Sequence, residues 1–170
     1  MAVNKSISEP GMILFRECQR FRQWWLWLIL IGANIPLLWA LWQQSREGAP
    51  LDPGDLLLGN GILLLVIFLL LALRLDTEIR NDGVYVRFFP FALRLKRYGW
   101  EEIEKAYVRP YKPLLEYGGW GIRYGRKGKA LNVSGNMGLQ LELKNGKKLL
   151  IGTRKPEALQ AVIEELEVAG

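Results

Sequence analysis

Four cations fall within seven residues at Arg123, Arg126, Lys127 and Lys129. Ammonium and guanidinium groups at that density suit one chemistry best, the holding of anionic oxygens such as those of lipid headgroups. Each cation near an anionic surface contributes about 1 kcal/mol. A solvated turn kept soluble by its charge is the plainer reading of the same residues, and both stay open. A second basic set is Arg94, Lys96 and Arg97. No predicted helix carries a basic recognition face, so nucleic acid is not an expected partner.

Catalysis has little to work with. The 170 residues include no His and one Cys, Cys18. That removes His–Cys zinc sites, Cys–His pairs, Ser–His–Asp triads and an internal disulfide. Glu101, Glu102 and Glu104 cluster, but no second acidic group stands at metal spacing and no nucleophile accompanies them. The expectation is a protein without catalysis, metal or cofactor. Gly118, Gly119 and Gly121 surround Trp120, yet the spacing is not that of a dinucleotide-binding fingerprint. A bulge or a close strand crossing fits them, with a docking groove as the alternative.

The elements that must position these residues begin with two uncharged runs, 24–42 and 56–73. Each is roughly 27–28 Å long as a helix, close to a bilayer's hydrocarbon thickness. Trp24, Trp25 and Trp27 at one end of the first run, and Trp39 and Trp42 at the other, suit headgroup depth. The sequence therefore predicts two transmembrane helices joined by a short extracytoplasmic loop, 43–55. Asn34, and Asn60 between Gly59 and Gly61, are read as helix–helix contacts, because polar groups in lipid need partners and small residues let backbones approach. The net charge of +6 divides as +2 for 1–23, −2 for 43–55 and +6 for 74–170. Lys and Arg collect on the cytoplasmic side, so the expectation is a multi-pass inner-membrane protein with both termini cytoplasmic.

After Arg74 the period changes to two. Leu75, Thr77 and Ile79 alternate with charged residues, Asn81-Asp82-Gly83 supplies a turn, and Val84, Val86 and Phe88 alternate again. Further strands are predicted at 93–97, 103–109, 120–124 and 130–133, with a loop at 111–119. The clearest hairpin is 139–144 and 147–152 around Asn145-Gly146. Pro156, Glu157 and the stripe Leu159, Val162, Ile163, Leu166 predict a final amphipathic helix. The fold class expected for 74–170 is a mainly antiparallel, partly open β-barrel closed by that helix.

Two spans, short strands and a last helix resemble the uncharacterised bacterial membrane proteins that carry a pleckstrin-homology-like domain. The resemblance rests on Arg16-Glu17-Cys18-Gln19-Arg20-Phe21 and Gly118-Gly119-Trp120-Gly121-Ile122-Arg123. It rests also on Asn132-Val133-Ser134-Gly135, and on Ile151-Gly152-Thr153 leading into Pro156-Glu157 and Leu159. It implies a membrane-anchored binding or assembly module at the cytoplasmic face, partnered by membrane lipids, a second copy or another membrane protein. The alternative is an accessory subunit of a transport or envelope-stress complex.

Overall fold

The computed structural model describes residues 11–21, 24–46, 53–125 and 127–169, and the side chains of these except at 24–26, 37, 53, 55–60, 167 and 169. Lys5, Glu9, Arg22, residues 47–52 of the predicted loop, Arg126, and Gly59 and Asn60 apart from their helical backbone lie outside the described residues. The chain divides into two units. One gathers Met1–Arg20 with Leu73–Gly170, and the other is Phe21–Ala72.

The helical unit holds α1 (Trp24–Arg46) and α2 (Pro53–Ala72). Both uncharged runs thus fall on helices. Among the described residues, however, no helix is long and apolar enough to cross a membrane. This corrects the expected pair of transmembrane helices, and with it the multi-pass inner-membrane location. Counting uncharged residues overstates apolar length. The run on α1 is interrupted by Gly32, Asn34 and Pro36. The run on α2 includes Gly59, Asn60 and Gly61.

The β-rich unit is also not the single partly open barrel that was expected. It has two separate sheets. In the first, β1 (Ile13–Arg20), β2 (Arg74–Arg80), β3 (Gly83–Phe89) and β4 (Lys96–Gly99) pair antiparallel in chain order. The alternation read from the sequence buries Leu75, Thr77 and Ile79 of β2 and Val84, Val86 and Phe88 of β3. The third predicted strand, 93–97, is displaced to β4, and Phe91 and Leu93 stay exposed in the preceding loop.

The edge strand β1 has no counterpart in the sequence reading. It is separated from its partner by the whole helical unit, yet Arg20 stands opposite Arg74 and Glu17 opposite Thr77. Its inward residues are Phe15, Glu17 and Gln19. Buried polar groups need partners, and these two reach the second sheet. The Thr153 hydroxyl donates to one Glu17 carboxylate oxygen at 2.6 Å, and the Arg154 N–H donates to the other at 2.9 Å. The Gln19 amide donates to the Gly152 carbonyl at 2.7 Å.

The second sheet contains β5 (Ile103–Pro110), β6 (Gly121–Gly125), β7 (Gly128–Asn132), β8 (Met137–Leu143) and β9 (Lys148–Thr153), in the order β5-β8-β9-β7-β6. Only the β7–β9 pairing is parallel. A 3-10 turn, Trp100–Glu102, leads into β5, and a short helix, α3 (Pro113–Tyr117), occupies the predicted loop before β6. The last helix, α4 (Pro156–Ala169), buries Leu159 and Ile163. The side-chain amide oxygen of its Gln160 accepts the Val108 N–H of β5 at 3.3 Å, so the helix covers the sheet's edge strand. Leu139, Leu141, Leu150 and Ile151 form the buried centre of this sheet.

Candidate anion-binding cleft

The parallel pairing of β7 with β9 creates the most distinctive surface of the β-rich unit. Lys129 stands opposite Leu149 and Ala130 opposite Leu150, so the β6–β7 and β8–β9 turns lie side by side. Gly128 makes the approach possible. Its φ is +100°, and a Cβ there would collide with the Lys148 carbonyl oxygen. The β8–β9 turn needs a glycine as well, since Gly146 has φ +78°. Asn145 fixes that turn by accepting the Lys147 N–H at 3.0 Å.

The two turns and β4 enclose a cleft of about 710 Å³. Five lysines line it: Lys96 from β4, Lys127 and Lys129 from the β6–β7 hairpin, and Lys147 and Lys148 from the β8–β9 hairpin. Glu102 is the one carboxylate among the lining residues.

The lysines fall into two groups. Lys148 is engaged with Glu142 at 2.8 Å, and Lys127 with Glu116 at 3.2 Å. Glu116 also receives Arg109 at 3.0 Å. Burial pushes the Glu116 carboxyl up, but the Lys112 N–H, Lys127 and Arg109 outweigh it and hold the group below its ordinary value of 4.5. Lys148 draws the Glu142 carboxyl down in the same way. Among the described residues Lys96, Lys129 and Lys147 have no carboxylate partner. The Lys96 ammonium lies 5.0 Å from the Tyr98 ring centre, and that of Lys129 lies 5.4 Å from the Tyr124 ring centre. Such cation–π contacts place an ammonium without neutralising it.

The four cations singled out in the sequence are thus divided. Lys127 and Lys129 line the cleft, Arg123 does not, and Arg126 lies outside the described residues. The Arg123 guanidinium donates to the Trp120 carbonyl at 3.0 Å. Of the second basic set, Lys96 joins the cleft, whereas Arg97 pairs with Asp82 and Glu101. Lys147 and Lys148 read in sequence only as the start of a return strand. Their place at the cleft follows from the parallel pairing, which no local pattern announces.

The other candidates resolve differently. The Asn34 amide donates to the Leu30 carbonyl of its own helix at 2.8 Å. A Cβ at Gly61 would meet nothing within 4 Å, so among the described residues no backbone approaches closely there. Gly118 ends α3 in the left-handed conformation, and the Trp120 indole donates to the Gly135 carbonyl at 3.4 Å. Among the described residues, no group of three or more His, Cys, Asp or Glu is placed to hold a metal ion. What remains is a set of ammonium donors facing a shared space, able to bind phosphate or carboxylate oxygens.

No family model matches the chain, and neither a curated protein nor a solved structure matches it.

Proposed function

We propose that this chain is a non-catalytic binding protein whose β-rich unit takes a phosphate-bearing anion in the lysine cleft. The observation that carries the reading is the imbalance of charge there: five lysines, three of them without a carboxylate partner among the described residues, against a single lining glutamate. Like charges held together in a concave site repel one another, and an anion relieves that repulsion.

Titration calorimetry of the full chain tests the reading with two sources of the same chemistry, inorganic tripolyphosphate and phosphatidylglycerol vesicles. The expected result is binding that weakens as salt rises and that falls at least tenfold in the double variant Lys129→Glu, Lys147→Glu. Preference for tripolyphosphate makes the ligand a free phosphate compound, and preference for vesicles makes it a headgroup. Binding of neither, or equal affinity in the double variant, overturns the proposal.

A further inference from the structure

The cleft contains more than charge. Tyr124, at the end of β6, is 76% exposed on its wall, and Tyr98 lines it from β4. A volume of about 710 Å³ falls within the range of about 300–1,000 Å³ typical of sites for whole small molecules. A bare phosphate held by three ammonium groups would leave most of that space unused. We infer that the ligand of the lysine cleft bears a flat aromatic ring beside its phosphates, the chemistry of a nucleoside polyphosphate, with the ring stacked on Tyr124. This rests on the anion-binding reading and narrows it.

The arrangement of Lys129 couples the two halves of such a ligand. Its ammonium lies over the Tyr124 ring, so it covers the face on which a base would stack. A phosphate entering among Lys96, Lys129 and Lys147 attracts that ammonium more strongly than the ring does, because a full negative charge outweighs a quadrupole. Moving toward the phosphate, Lys129 uncovers the ring. The phosphates therefore bind to charge while their own binding exposes the aromatic face.

The test compares adenosine triphosphate with inorganic tripolyphosphate, both without divalent metal, on the full chain by titration calorimetry. Base stacking on an aromatic side chain corresponds to roughly tenfold or more in affinity. The expected result is that the nucleotide binds about tenfold tighter. Tyr124→Ala should remove that advantage, so that the two compounds bind the variant with equal affinity, while Tyr124→Phe should retain it. Because Tyr124 is largely exposed, its substitution is not expected to disturb folding, and unchanged thermal melts verify this. Equal affinity of the two compounds for the unaltered chain overturns this inference and leaves the anion reading standing. So does an equal weakening of both by Tyr124→Ala. Failure of both compounds to bind overturns the two together.

Discussion

In the β-rich unit Leu75, Ile79, Leu139, Leu141 and Leu150 are fully buried, whereas in the helical unit Ile31, Ile35 and Phe68 remain about two-thirds exposed. The helical residues are at least as apolar, so hydrophobicity does not separate the two regions. Periodicity does. In β2 and β3 the apolar residues recur every second position and share one face of a sheet. On α4 they recur at helical spacing and form one stripe. On α1 and α2 they run all round, so neither helix has a side that could be hidden while another faces water.

The sharpest way to break that contrast is to truncate one side chain in each region. Leu150→Ala should destabilise the β-rich unit by about 2–5 kcal/mol, the usual cost of an unfilled core position. Ile31→Ala should cost less than about 0.5 kcal/mol. Urea unfolding of the two variants measures both, and equal losses would mean that the helical unit has a core of its own.

A smaller effect probes how the two sheets are held together. Removing the Glu17 carboxylate leaves the Thr153 hydroxyl and the Arg154 N–H without it, at a cost of about 1–3 kcal/mol. A double-mutant cycle of Glu17→Ala with Thr153→Val should show strong coupling. Strict additivity would show that the bond between β1 and β9 does not contribute.

The smallest expected effect is on pH dependence. Glu116 and Glu142 both titrate below their ordinary value in the folded chain. Each therefore contributes stability that is fully present above pH 4.5 and is lost as the pH falls through the lowered value. The helices α1 and α2 contain two ionisable residues, Arg46 and Asp55. Acidification should lower the urea midpoint of the β-rich unit while the helical signal changes little. Glu116→Gln should flatten that decline, and a decline of unchanged steepness in this variant would remove Glu116 as its source.

The contrast also explains which parts of the fold could be read from the sequence. The strands at 75–80 and 84–88, the Asn145-Gly146 hairpin and the stripe of α4 carry local patterns, and each forms where the pattern places it. Strand β1 carries no such pattern. Its inward positions include Glu17 and Gln19, and Ile13 is exposed, so an apolar/polar alternation is absent. The two apolar runs were readable as helices, but inferring membrane spans from uncharged length went further than the described residues support. At the cleft, Lys127 and Lys129 were visible as neighbours in sequence. Lys96 and Lys147 join them through pairings between distant strands, which is information that spacing does not hold.

The interval between β1 and β2 sets the entropy of closing the first sheet. Arg20 and Arg74 are paired although 54 residues apart, while β2 and β3 are joined by a tight turn at 81–82. The second pairing closes a short loop and the first closes a long one, so their entropic demands differ. During synthesis β1 emerges first and has no partner until both helices have followed it. The β1–β2 pairing therefore carries the larger loop-closure entropy of the two, and the local β2–β3 hairpin the smaller.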